Sequence, residues 1–141
     1  MRYFGGKQRI SKHLVEFLNV QLKEGQPFVD AFCGSCNIIS KIDSNRCRIA
    51  NDKHKYLIAM WKGLQEGWVP PIKVTKEVYY QVKDNKGEDA ALTGFAGFGS
   101  SFAGKWFGGY AHLDKRTGAW YSEASRNSLM RKFKTLTNVT F

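Results

Sequence analysis

The ten residues FVDAFCGSCN, at positions 28–37, decide which fold the chain adopts. Residues 28–33 form a short and mostly apolar run, which predicts a buried strand. A turn of small residues follows, and a helix is predicted from about Ser35 to Ile42. The same stretch places Cys33 and Cys36 at the C-x-x-C spacing that is found in redox pairs and in half-sites for zinc.

The cysteine count bears on this second interpretation. The chain has three cysteines, an odd number that argues against a disulfide framework. A structural zinc site needs four ligands at tetrahedral distances. The other candidate ligands are scattered and have no second paired spacing: Cys47, His13, His54 and His112. We therefore predict no metal site and favour the strand, turn and helix.

The segments on either side of this stretch have the periodicity of an α/β protein. Residues 7–24 carry the apolar stripe of an amphipathic helix, and residues 48–52 predict a second short strand. A further helix follows and stops at Gly67; four apolar residues line one of its faces: Leu57, Met60, Trp61 and Leu64. An alternation of strands and helices over about 40 residues predicts an α/β fold with a parallel sheet.

The second half of the chain has a different composition. A short helix is predicted at residues 77–83, whereas residues 94–121 are rich in glycine and aromatic residues and have no helical period. This stretch predicts loops and a hairpin that turns near residues 114–118. Ser122 is a candidate N-cap for a last helix, and residues 138–141 predict the start of a third strand.

The charge of the chain is strongly positive. It has 22 Lys and Arg against 12 Asp and Glu, a formal net charge of +10. Such a charge indicates a polyanionic partner, most commonly nucleic acid, although a solvated basic surface is the alternative. From residue 105 onward, basic residues interleave with aromatic ones, a pattern that suits phosphate neutralisation together with base stacking.

The sequence also bears on the cellular location. It contains no apolar run of about 18 residues that could span a membrane. Its first residues lack the apolar core of a secretory signal. A cytoplasmic location, in a bacterial cell or a phage-infected host, is therefore expected.

Polar residues end both of the strands predicted in the first half. Asp30 lies near the end of the first strand, where a carboxylate suits a cationic amine, and Gly34 permits close approach of the backbone. Asp52 closes the second strand, where a carboxylate can accept both hydroxyl groups of a ribose. An Asp after a strand is also a common helix cap, but the spacing of these acids favours a nucleoside cofactor.

Residues 2–7, RYFGGK, form the third candidate binding segment. Two glycines between an aromatic residue and a lysine allow backbone and side chains to crowd around a ligand. A mobile segment in front of the first helix is the alternative, and for this segment alone that alternative would be preferred.

Three motifs, taken in order, resemble the Dam-type adenine-specific DNA methyltransferases. They are RYFGGKQRI at residues 2–10, FVDAFCGS at residues 28–35 and IANDKHKYLIAMWKGL at residues 49–64. The resemblance spans nearly the whole chain, because residues 94–109 and the hairpin after them look like the DNA-recognition insertion of that family. It implies a partial Rossmann-like, S-adenosylmethionine-dependent methyltransferase fold with a mostly helical and hairpin insertion.

The resemblance also implies a function and a set of site residues. The expected reaction transfers a methyl group from S-adenosylmethionine to the exocyclic amine of adenine in double-stranded DNA. The residues expected to bind the cofactor are Tyr3, Lys7, Asp30, Phe32, Gly34 and Asp52. Those expected to contact DNA are Arg2, Lys105, Trp106, Lys115 and Arg116. The implied division is a cofactor-binding part at 1–67, a DNA-recognition insertion at 68–121, and a return helix with the next strand at 122–141.

Two features depart from the family pattern. Many members have a second glycine where this chain has Cys36, and the catalytic tetrapeptide Asp-Pro-Pro-Tyr does not occur in the sequence. The chain is therefore expected to be the N-terminal portion of such an enzyme and to transfer no methyl group by itself. The open sheet edge at residues 138–141 would invite self-association.

Two other functions are compatible with parts of the pattern. The first is a DNA-binding module that retains the methyltransferase fold without catalytic activity. The second is a nucleotide-dependent oxidoreductase, but the loop after the first strand lacks the Gly-x-Gly-x-x-Gly pattern of that class, because no further glycine follows Gly34. The C-x-x-C spacing is best explained as incidental to the cofactor loop.

Overall fold

A computed structural model of the chain describes residues 1–113 and 117–141. The described part contains five α-helices and three β-strands. The helices are α1 (Ser11–Gln21), α2 (Lys55–Gln65), α3 (Lys76–Asp84), α4 (Ala90–Gly99) and α5 (Tyr121–Phe133); the strands are β1 (Phe28–Asp30), β2 (Arg48–Ala50) and β3 (Val139–Thr140). Single 3-10 turns lie at Ile39–Lys41 and Phe102–Gly104. None of the described helices is both long and apolar enough to cross a membrane.

The three strands form one parallel sheet in the order β1-β2-β3. Asp30 pairs with Ala50 across the first two strands, and Ile49 pairs with Thr140 across the second and third. The prediction of an α/β fold with a parallel sheet is confirmed, and so is the third strand near the end of the sequence. Both β1 and β3 are edge strands within the described part, and self-association through residues 138–141 stays a prediction.

A buried arginine joins the sheet to the turn before it. Arg48 is 2% exposed, and its Nη1 donates to the carbonyl oxygens of Ile39 and Ile42, each at 3.2 Å. Its Nη2 donates to the side-chain oxygen of Asn138, immediately before β3. These hydrogen bonds fix the spacing of three chain segments, although Nε of Arg48 has no partner within the described residues.

The helix predicted from Ser35 to Ile42 is wrong. The chain forms a loop here, with Gly34 and Cys36 both in the left-handed region at φ values of 50° and 56°. Two left-handed residues in so short a span interrupt the repeating hydrogen bonds of an α-helix. The carbonyl of Ser35, which a helix would offer to an amide four residues later, instead accepts a hydrogen bond from Lys132 Nζ at 2.7 Å.

The glycine-rich stretch also differs from the prediction, because its first six residues belong to helix α4. Asp89 caps this helix by accepting a hydrogen bond from the amide of Leu92 at 2.8 Å. Glycine disfavours helices in isolation, but here it allows α4 to lie directly on α2. A Cβ added to Gly94 would lie 2.1 Å from the carbonyl oxygen of Tyr56. Tertiary packing therefore decides the conformation of this stretch.

The other predicted elements have mixed outcomes. Helices α2 and α3 are confirmed, but α1 is shorter than residues 7–24, and its predicted stripe is in part exposed, with Phe17 at 64%. Leu113 and Trp120 form an antiparallel bridge, as expected for the predicted hairpin; residues 114–116 of its predicted turn at 114–118 lie outside the described residues. Ser122 is not an N-cap: its Oγ donates to the carbonyl of Ile72 and accepts from the amide of Val74.

We predict that Gly94→Ala destabilises the protein by about 1–3 kcal/mol, because the new methyl group overpacks the contact between α2 and α4. Helix propensity alone would predict the opposite sign, since Ala is favoured over Gly by about 1 kcal/mol in a helix. Thermal denaturation measures the change. Gly87→Ala is the matched control, because nothing lies within 4 Å of its added Cβ. A Gly94→Ala variant as stable as the control would contradict the prediction.

Candidate functional site

The candidate site lies where the carboxyl ends of β1 and β2 meet. Asp30 ends β1, and its carbonyl oxygen accepts a hydrogen bond from the amide of Asn51 at 2.8 Å. The amide of Cys33 in turn donates to the carbonyl of Asn51 at 2.8 Å. These bonds extend the pairing of the two strands beyond their last residues, so Asp30 and Asp52 lie at the same edge of the sheet.

The backbone of Gly34, in the loop after β1, connects this edge to α2. The amide of Gly34 donates to Asp52 Oδ2 at 2.9 Å, and the carbonyl of Gly34 accepts from Trp61 Nε1 at 3.2 Å. The second carboxylate oxygen, Asp52 Oδ1, accepts from the amide of His54 at 2.9 Å. Each oxygen retains a free lone pair, so the carboxylate is held in a fixed orientation and can still accept from a ligand.

The N-terminal segment lies against this loop. A Cβ added to Gly34 would be 3.0 Å from Cε1 of Tyr3, so the tyrosine ring lies directly on the glycine. Burial raises the pKa of Tyr3, and the negative charge of Asp52 adds to that rise. The amide of Phe4 donates to the carbonyl of Gly104 at 3.0 Å. The segment is thus anchored on two sides.

The two acids at the sheet edge interact electrostatically. Burial raises the pKa of Asp30, hydrogen bonds from the backbone amides of Phe32 and Ile39 oppose the rise, and the charge of Asp52 adds to it. Two half-buried carboxylates near each other favour the binding of a cation between or beside them. This edge therefore suits a ligand that combines a positive charge with hydroxyl groups.

The structure brings together four of the six residues expected to bind the cofactor: Tyr3, Asp30, Gly34 and Asp52. The side chains of the other two, Phe32 and Lys7, do not join this cluster. The side chain of Phe32 is 87% exposed. Lys7 Nζ donates to the carbonyl of Gly5 at 2.9 Å, and this residue lines an adjoining cleft.

The two cysteines of the C-x-x-C spacing pack inside the loop. Cys33 and Cys36 are buried thiols, and each Sγ lies 3.9 Å from the carbonyl oxygen of Gly34. Burial raises the pKa of Cys36, which disfavours the thiolate that redox chemistry requires. No group of three His, Cys, Asp or Glu side chains suited to a metal ion occurs within residues 1–113 and 117–141.

A cleft of about 1120 Å³ lies between the N-terminal segment, the loop after β1 and helix α5. We call it the basic cleft, because none of its described lining residues is acidic and six are basic: Arg2, Lys7, Arg9, Lys41, Arg131 and Lys132. Burial lowers the pKa of Lys132 to about 8, and the charge of Lys41 contributes to the shift. Cations held this close without an acid favour an anionic ligand.

The residues expected to contact DNA have three different placements. Arg2 lines the basic cleft, where its Nη1 donates to the hydroxyl of Tyr121 at 3.3 Å. Lys105 is exposed, whereas Trp106 is half-buried with its ring centroid 4.1 Å from that of His54. Lys115 and Arg116 lie outside the described residues.

Sequence analysis missed two parts of this site. Lys41 and Lys132 have no motif around them, and only folding brings them beside the loop after β1. The aromatic cluster of His54, Phe98 and Trp106 was also missed; a Cβ on Gly97 would lie 2.2 Å from the Trp106 ring. Gly97 is the sequence feature that could have indicated this aromatic cluster, because a helical glycine often marks close packing.

Comparison with known protein families gives a match over most of the chain. The family model of the D12 class N6 adenine-specific DNA methyltransferases matches residues 3–96. The matched range includes β1, β2 and all six residues expected to bind the cofactor. No curated protein matches the chain.

We predict that acidification destabilises the protein partly through His54. Burial lowers the pKa of this histidine below its ordinary value of 6.5, although the charge of Asp52 opposes the shift. Within the described part of the chain, its buried Nδ1 has no hydrogen-bond partner. The unfolded chain therefore takes up the proton more readily, and stability is lost as the pH falls through about 6.5 toward the folded value.

The measurement is the melting temperature of the protein between pH 8 and pH 5. His54→Phe keeps an aromatic ring but cannot be protonated, so its melting temperature should fall less on acidification. His13→Phe, at an exposed position on α1, is the matched control and should behave like the unmodified protein. Equal acid sensitivity in all three proteins would contradict the assignment.

Proposed function

The chain belongs to the D12 class of N6 adenine-specific DNA methyltransferases, and on that premise we propose that it binds S-adenosylmethionine and duplex DNA for methyl transfer to the exocyclic amine of adenine. The observation that carries the proposal is the cluster of Tyr3, Gly34 and Asp52 at the carboxyl edge of the parallel sheet. All three residues lie within the range that matches the family.

The chemistry of the sheet edge fits this cofactor. S-adenosylmethionine carries an ammonium and a sulfonium charge and a ribose with two hydroxyl groups, and it supplies an electrophilic methyl group when bound. Asp52 has free lone pairs for the ribose hydroxyls, and Asp30 offers a carboxylate to a cationic amine. The Tyr3 ring, which lies directly on Gly34, forms an apolar wall beside the loop.

The basic cleft supports duplex DNA as the second partner. It adjoins the loop after β1, because Ser35 and Asn37 line it and accept hydrogen bonds from Lys132. Arg9, Lys41 and Arg131 can neutralise phosphates without competition from acidic neighbours in the cleft. Arg2, on Tyr121, lies between this cleft and the insertion.

We also propose the division of the chain that the family resemblance implies. Residues 1–67 hold the cofactor, residues 68–121 form an insertion that contacts DNA, and residues 122–141 return to the sheet. Helix α5 has a further role in this arrangement, because Lys132 reaches from it to the cofactor loop. A substitution in α5 would therefore affect the binding of both S-adenosylmethionine and DNA.

A DNA-binding module without methyl transfer is the alternative function. The observation that favours it is the basic cleft, which suits a polyanion independently of any cofactor. Cofactor binding separates the two functions, since a module that only binds DNA has no need to retain affinity for S-adenosylmethionine.

We predict that Asp52→Asn weakens the binding of S-adenosylmethionine by about tenfold or more, because a charge-assisted hydrogen bond contributes roughly 1.5–3 kcal/mol. Isothermal calorimetry measures the dissociation constant. Asp84→Asn removes the same charge from an exposed position at the end of α3 and should leave the affinity unchanged. Thermal melts establish that both variants fold. Unaltered affinity in a folded Asp52→Asn variant would refute the ribose assignment.

We predict that DNA binding depends steeply on salt and that the basic cleft contributes to this dependence. Each neutralised phosphate adds about 0.9 to the slope of log affinity against log salt. Arg9→Ala combined with Arg131→Ala should therefore lower the slope by up to about two units, measured by fluorescence anisotropy with a duplex. Lys12→Ala combined with Lys23→Ala removes the same charge from α1 and its end, outside the cleft, and equal losses in both pairs would contradict a localised footprint.

A further inference from the structure

A second pocket, of about 580 Å³, lies in the proposed insertion and away from the cofactor edge. We call it the insertion pocket. It lies between the chain that leads into α3 and the segment that precedes α5. Its lining consists of two lysines (Lys73 and Lys76), four aromatic rings (Tyr80, Tyr110, His112 and Trp120), one acid (Glu77) and the hydroxyl residue Thr75. Its volume falls within the range of small-ligand sites.

The aromatic wall of the insertion pocket is held in place by the contacts of Tyr110, which itself lines the pocket. The Tyr110 hydroxyl donates to the carbonyl of Val74 at 2.8 Å, and the Tyr110 ring stacks on His112 at a centroid distance of 6.2 Å. The edge of His112 meets Trp120 at 4.5 Å. The wall therefore has a fixed shape before any ligand arrives, which reduces the entropic cost of binding.

The aromatic rings here are accessible, unlike those of the protein core. His112 is exposed, Tyr80 is 41% exposed and Trp120 is half-buried. Lys73 Nζ lies 4.3 Å from the centroid of the Trp120 ring, over its face. A cation in this position covers the aromatic face with a weak contact that an anion can compete for.

We propose that the insertion pocket binds one unstacked nucleotide of DNA, with its base stacked on the face of Trp120 and bounded by the His112 ring, which lies at 69° to that face, and with its phosphate on Lys73 and Lys76. Aromatic faces accept any base, and lysines at the rim neutralise the adjoining phosphate. When the phosphate draws Lys73 aside, the face of Trp120 becomes available to the base. Glu77 places a carboxylate at the rim, where it can accept a hydrogen bond from an exocyclic amine of the base.

This inference rests on the proposed function, because it takes DNA as the partner. An enzyme that acts on a base must extrude a nucleotide from the duplex, so unstacked nucleotides arise during its reaction. The pocket differs from the basic cleft in its chemistry. The cleft offers mainly charge, whereas the pocket offers aromatic surface and charge together.

The test compares two DNA probes with the full chain. One is a matched duplex, and the other is the same duplex with a single bulged 2-aminopurine, whose fluorescence falls when it stacks on an aromatic ring. We expect roughly tenfold tighter binding of the bulged probe, with quenching, since stacking on one aromatic residue gives an effect of about this size. Trp120→Ala and His112→Ala should each abolish the preference for the bulged probe.

Two further variants control for effects other than stacking of the base on Trp120. Trp120→Phe keeps an aromatic face and should therefore retain the preference for the bulged probe and the quenching of 2-aminopurine. A purely structural role for the indole would not predict that either is retained. Phe17→Ala removes an exposed aromatic ring on α1 and should have no effect.

The outcomes separate this inference from the proposed function. Binding to the matched duplex without preference for the bulge overturns the pocket assignment alone. A preference that survives Trp120→Ala and His112→Ala also overturns it. Failure to bind either probe overturns the proposal that DNA is the partner.

Discussion

The backbone of Gly34, held at both its amide and its carbonyl, is the constraint on which the rest of the structure depends. Its amide holds the carboxylate of Asp52, and its carbonyl is held by the indole of Trp61. Its φ of 50° disfavours any residue with a Cβ, and the ring of Tyr3 occupies the space beside it. The ends of both strands, the first turn after them and the N-terminal segment are thereby fixed relative to one another.

Aromatic rings connect the proposed insertion, residues 68–121, to the loop at Gly34. Phe98 of α4 contacts Tyr3 at a centroid distance of 5.0 Å and His54 at 4.9 Å. Trp106 contacts the same histidine, whose amide binds Asp52. The residues expected to recognise DNA are therefore not independent of those expected to hold the cofactor. Trp106 in particular packs against His54, so its expected contact with a DNA base would have to use the same ring.

The distribution of charge separates two kinds of ligand site across one short loop. On one side, Asp30 and Asp52 create a negative sheet edge that suits a cation. On the other side, the basic cleft carries six cationic side chains and suits a polyanion. Lys132 marks the boundary, because it binds the carbonyl of Ser35 and the side chain of Asn37 in the loop itself. Opposite potentials close together would hold a cationic methyl donor near a polyanionic acceptor.

The amino-acid sequence by itself determined the parallel α/β class, strands β1 and β2, helices α2 and α3, and the acids at the strand ends. These features depend on local patterns: apolar runs of strand length, helical periodicity and polar residues where a strand stops. Only the tertiary structure decided the left-handed loop at Gly34 and Cys36, the helix in the glycine-rich stretch, and the positions of Lys41, Lys132 and Trp120. The reason is physical, because each of these depends on contacts between residues far apart in the chain. Lys132 takes the carbonyl that a helix would have used, and Gly94 is helical because it lies on Tyr56.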